Sequence, residues 1–183
     1  MTTAYDVAAY MRAIGVRFTG VRFTGETQMM KLLYYAQAWS LAWDGEPLFD
    51  ERIEAWRKGP VVPSMRFTDP QPDPTVELTE EQRATIAAVV EHYGKLNGGE
   101  LSKLTHDEAP WKETRGDRPS DERCSDEITH DSMRREYTRQ SARGAGPLRR
   151  VPSSHRVANR RDVLARAGRA RQEWGRTLEL LGK

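Results

Sequence analysis

Of the fifteen residues from Met29 to Trp43, MMKLLYYAQAWSLAW, only Lys31, Gln37 and Ser40 are clearly polar. As a helix, such a stretch is apolar on nearly every side, the pattern of a helix buried inside a domain. At 1.5 Å per residue it extends roughly 22 Å, enough to cross a small domain but too short and too polar for a bilayer. Asp44-Gly45 and Pro47 end it: Gly relieves left-handed strain at the helix exit, and Pro cannot continue the hydrogen-bond ladder. No other segment is as apolar, so the remaining elements must pack around this one.

Those elements are short and amphipathic. Asp6–Ile14 places Val7, Tyr10 or Met11, and Ile14 three or four apart, a first helix closed by Gly15. The pentapeptide VRFTG at 16–20 recurs unchanged at 21–25. It is either a β-hairpin turning at Gly20 or a tandem duplication accommodated in a loop, and the small entropic cost of lengthening a loop favours the second. Arg52–Trp56 alternates polar and apolar residues as a short strand, and two prolines stiffen Lys58–Pro63 in an extended form. Pro63 then opens a short helix through Met65 and Phe67, and DPQPDP at 69–74 is a surface connection. Thr79 and Gln82 form a capping box for a helix with Ile86, Val89 or Val90, Tyr93 and Leu96 on one stripe, stopped by Gly98-Gly99. A helical turn over Leu101–Thr105, a charged loop over 116–127 and a last helix over Ile128–Tyr137 follow.

Charge divides the chain. Residues 1–140 carry 18 Lys+Arg against 24 Asp+Glu, whereas residues 141–183 carry 11 against 3, so the total of +2 describes neither part. An acidic body with a basic tail suggests parts that serve different partners or each other. The expected organisation is a body at 1–140, a basic flexible linker at 141–154, SARGAGPLRRVPSS, and a basic amphipathic helical tail at 155–183. In the tail Leu164, Ala167, Trp174, Leu178 and Leu181 form one stripe among arginines. It either contacts a phosphate backbone through its arginines or docks its stripe on the acidic body. A single cysteine, Cys124, permits no internal disulfide. The start MTTAYDVAAYMRA lacks the pattern of a signal peptide, and no span reaches membrane length, so a cytoplasmic protein with no membrane partner is expected.

Catalytic signatures are scarce. His92, His106, His130 and His155 have no metal-ligand spacing, no phosphate-binding glycine loop occurs, and there is no G-x-S-x-G elbow. No cofactor, metal or catalytic residue is therefore assigned. The one cluster with a catalytic look, His106-Asp107-Glu108, is read as a helix end with local hydrogen bonds rather than a general base. Trp39 and Trp43, four apart in the apolar helix, are read as core, and Trp56 and Trp111 as the better interface residues.

The segment KLLYYAQAWSLAWDGEPLFDERIEAWRKGPVVPSM at 31–65, followed by LSKLTHDEAPWKETRG at 101–116, resembles the Panacea domain of SocA-like bacterial and phage antitoxins. The resemblance extends from residue 4 to about 140. It implies a mainly α fold: a compact helical domain around a buried central helix with a short β element, here followed by the C-terminal basic helix. It further implies a protein with no catalytic triad or cofactor that neutralises a toxin encoded nearby by direct protein–protein contact. At least one sort in the family hands its toxin to a AAA+ protease. Departures are the VRFTG repeat, Arg57-Lys58 before the Gly-Pro step, and Arg66, which make the surface around Gly59–Phe67 more basic.

The reading is thus a non-enzymatic antitoxin whose acidic body faces a basic toxin, with Trp56, Pro60, Val61, His106 and Trp111 converging as partner-binding residues. The strand, GPVVP and THDEAPW are taken as the non-helical pieces that meet there. The alternative is a proteolytic adaptor or phage-associated regulator whose basic tail contacts nucleic acid.

Overall fold

The computed structural model describes residues 2–20, 23, 25–119 and 121–149. Among these, six α-helices and one two-stranded sheet make a mainly α fold, as expected. The helix α2, Glu26–Trp43, is its axis: every residue from Met29 to Leu41 is buried, and α1 (Ala4–Thr19), α3 (Glu80–Tyr93), α4 (Gly98–Asp107) and α6 (His130–Ala142) all pack on it.

A helix buried on all sides must satisfy its polar side chains from within. Lys31 Nζ donates to the Pro60 carbonyl at 2.8 Å. Gln37 donates through Nε2 to Phe49 O at 2.9 Å and accepts through Oε1 from the amides of Leu48 and Phe49 at 2.8 and 3.2 Å. Ser40 Oγ donates to Glu46 O at 3.0 Å. The three polar residues of the apolar run thus each fasten a non-helical segment to the axis.

Helix ends follow local chemistry, with two departures from the sequence reading. The first helix runs through Gly15 to Thr19 and is capped by Gly20 at φ 73°, so the first VRFTG copy is helical, neither hairpin nor loop. In the second copy Phe23 is buried, and Gly25 precedes α2 as its N-cap. Gly15 lies within α1, and its missing side chain admits the Phe23 ring, 2.7 Å from where a Cβ would stand. Likewise α3 ends at Tyr93, capped by Gly94, whereas Gly98 and Gly99 begin α4. Asn97 and Glu100 form a capping box there, which outweighs the low helix propensity of two glycines. The Thr79–Gln82 capping box forms as expected.

The strands β1, Glu54–Trp56, and β2, Gly59–Val61, pair antiparallel with Ala55 opposite Pro60. On the other edge of β1, Ala55 N donates to Asp126 O at 2.9 Å, and Ile128 N donates to Ile53 O at 2.8 Å. The loop after α5 (Ala109–Arg115) is gathered by the buried Arg115, whose guanidinium donates to the carbonyls of Ala55, Pro119 and Glu122 at 3.2, 2.8 and 2.9 Å. Pro63 opens a 3₁₀ turn that stops at Met65; Phe67 lies outside it at φ 62°.

The body does not end at 140. Its last helix continues to Ala142, and the compact unit runs to Arg149. Past α6 the chain returns to α2: a side chain at Gly146 would overlap the Trp39 ring, Pro147 is buried, and Arg149 forms a bidentate pair with Asp44 at 2.7 and 2.9 Å. The first nine residues of the expected linker are thus part of the body, held by packing that their composition does not reveal. Residues 150–183, with the rest of that linker and the basic helical tail, lie outside the described residues. Gln37→Leu keeps the apolar volume but leaves the amides of Leu48 and Phe49 and the Phe49 carbonyl without a protein partner; urea unfolding is expected to show a loss of about 2–4 kcal/mol.

Candidate functional site

The five residues expected to converge do meet at one corner, but in two layers. Trp56, at the end of β1, accepts at its carbonyl from Trp111 Nε1 at 2.9 Å, and Trp111 stacks on His106 with centroids 4.0 Å apart and planes at 17°. Both lie on helices, His106 in the last turn of α4 and Trp111 in the first turn of α5, so THDEAPW is two helix ends joined at the extended Glu108 rather than a non-helical piece. Pro60 and Val61 are buried in β2, with Lys31 beneath the Pro60 carbonyl. Trp56, His106 and Trp111 are partly exposed, whereas Pro60 and Val61 support them from inside.

His106 does not carry general-base chemistry comfortably. Burial, then the nearby Lys31 and Arg115 cations, hold its imidazole below the usual histidine range, and Nε2 is buried without a hydrogen-bond partner among the described residues. Glu108 has turned inward. Its carboxylate accepts from Tyr137 Oη at 2.7 Å and Tyr35 Oη at 3.3 Å, in a cluster where Tyr35 also stacks on Tyr93 at 4.0 Å. Burial pushes the Glu108 carboxyl up to about 7, the two tyrosine hydroxyls opposing part of that rise. This neighbourhood staples α4, α6 and α2 together rather than opening to a substrate.

Beside the aromatic corner lies a cleft of about 700 Å³ that sequence reasoning did not find. The start of α2, the hairpin, Arg66 and the segment 121–125 line it, segments far apart in sequence. Lys31, Arg57, Lys58, Arg66 and Arg123 face it, against Glu26 and Asp121 as its acids. The charge there is opposite to the acidic balance of the body, so the acidic face expected for a partner is not found at this corner. Arg66 lies over both the Trp56 ring at 5.0 Å and the Phe67 ring at 4.6 Å. Phe67 itself is 85 % exposed, and its left-handed backbone is unusual for a bulky residue. Burial lowers the Lys31 ammonium to about 7, with desolvation the whole cause.

Residues 29–112 match the family model described as the antitoxin SocA-like, Panacea domain. That segment, rather less than half of the chain, is what is similar to a Panacea domain. The matched segment runs from the buried part of α2 into α5 and so contains the hairpin, Arg66, Phe67, His106 and Trp111. The 121–125 wall of the cleft, α1 and α6 lie outside the match. No curated protein and no solved structure matches the chain. Among the described residues no helix is long and apolar enough to cross a membrane.

Glu108 makes the fold pH-sensitive in a direction that can be checked. Its folded value is raised above the ordinary 4.5, so the stability it contributes is full below about pH 4.5 and is lost as pH rises through about 7. The stability of the native protein minus that of Glu108→Gln, from urea melts, is expected to fall across this window by at most about 1.4 kcal/mol per pH unit. A difference that stays flat contradicts the buried, partly protonated carboxyl.

Proposed function

We propose that this chain is an antitoxin that neutralises a cognate protein toxin, encoded nearby, by direct contact, and that it acts by binding rather than catalysis. The observation that carries the reading is the Panacea match over the segment that builds the aromatic corner. The antitoxin character of the family supports a toxin as partner. The aromatic corner supplies partly exposed tryptophans of the kind that dominate protein interfaces. The binding-only reading is supported by the fate of His106 and Glu108, which are occupied by stacking and by tyrosine hydroxyls.

Co-expression tests it. The open reading frame adjoining this one, expressed under tight control, is expected to arrest growth; this protein is expected to restore growth and to co-purify with the product. Glu108→Gln is expected to rescue as well as the native protein. A toxic neighbour that is neither rescued nor bound contradicts the proposal. Loss of rescue in a folded Glu108→Gln protein that still binds the toxin contradicts the binding-only reading.

A further inference from the structure

We infer that the basic cleft is the docking site for an acidic segment of the partner protein, its carboxylates held by Arg57, Arg66 and Arg123 and an apolar residue packed on Phe67. The inference rests on the proposed toxin-binding function and names the chemistry by which the partner is held.

Three observations carry it. First, most other arginines among the described residues are paired with carboxylates, among them Arg118 with Asp126 at 2.8 Å, Arg134 with Asp131 and Arg135 with Glu113 at 2.7 Å, and Arg149 with Asp44, while Arg83 and Arg115 are spent on backbone carbonyls. Arg57, Lys58, Arg66 and Arg123 have no ion-pair partner among the described residues although the body is acidic overall, and all four line one cleft. Second, Arg66 presents its guanidinium face to two rings, a position that leaves its edge N–H groups available for a carboxylate. Third, Phe67 is held at φ 62° and 85 % exposed beside that guanidinium, where it makes an apolar anchor next to the cations.

Charge and shape select the occupant. The chain's own segment 150–183, with 9 basic against 3 acidic residues, carries the same sign of charge as these cations. A nucleic acid binds best along an extended track of cations. Here the positive groups are confined to one concavity of about 700 Å³, flanked by Glu26 and Asp121, on a body whose net charge is negative. A few side chains of a peptide fit that space.

The test titrates the product of the adjoining reading frame against the full-length protein at low salt. Arg57→Glu/Arg66→Glu is expected to weaken binding about tenfold or more. The equally charged Lys95→Glu/Arg143→Glu, outside the cleft, is expected to stay within about twofold. Arg57→Glu/Arg123→Glu, which disturbs no ring contact, is expected to behave like the first pair while melting at the native temperature. Asp or Glu→Lys changes in the most acidic segment of the partner are expected to restore affinity for the charge-reversed protein. Native binding that is unaffected by both cleft pairs overturns the cleft assignment and leaves the toxin-binding function standing. A native protein that binds no toxin overturns both. A short single-stranded RNA bound by the native protein and released by the cleft pairs assigns the cleft to nucleic acid and overturns the acidic-segment inference.

Discussion

A helix surrounded by protein has no solvent to hydrate its polar side chains, and that constraint organises this fold. Lys31, Gln37 and Ser40 are buried on α2 and could each cost several kcal/mol if unpaired. Each instead takes its partner from the backbone of a non-helical segment: Pro60 in the hairpin, Leu48 and Phe49 in the connection after the helix, and Glu46 in the turn. The apolar surface of α2 recruits the other helices, and its three polar side chains set the positions of the loops. The same logic recurs at Arg115, which gathers three carbonyls around one buried guanidinium.

The hairpin is the point where this architecture becomes functional. Lys31 fixes β2 from below, Trp111 fixes β1 by donating to the Trp56 carbonyl, and Glu54 accepts from Trp56 Nε1 at 2.6 Å. With the strands held from two sides, the turn residues Arg57 and Lys58 and the segment Arg66-Phe67 need carry no core and can face a partner. A rigid base under exposed basic and aromatic groups lowers the entropy lost on binding. The cleft is therefore a consequence of how the loops are tied to the axis rather than a separate feature of the surface.

Sequence reasoning found the axis because its apolar run is unmistakable, and it found α3 because a capping box is written in adjacent residues. It misplaced the ends of α1 and α3 by treating Gly15 and Gly98-Gly99 as stops. Gly15 is instead a close contact for Phe23, and Gly98 leaves room for Thr27, neither visible from neighbours in sequence. The meeting of Trp56, His106 and Trp111 was legible in part, since all three stand on short elements near turns. The cleft was not, because Arg123 and Arg66 come together only through the folding of the 121–125 segment against the start of α2. The return of Gly146 and Arg149 to Trp39 and Asp44 was hidden by a composition that resembles a linker.

If buried polar tethers make the loops part of the same cooperative unit as α2, local opening should not separate them. Native-state hydrogen exchange in rising denaturant measures this directly. The amides of Met29–Leu41 and that of Ala55, which donates to Asp126 O at 2.9 Å, are expected to converge on one opening free energy equal to global unfolding. An Ala55 amide that exchanges through a low-energy opening while α2 stays protected would show that the hairpin and its cleft move independently of the axis, and would contradict the central role given to Lys31.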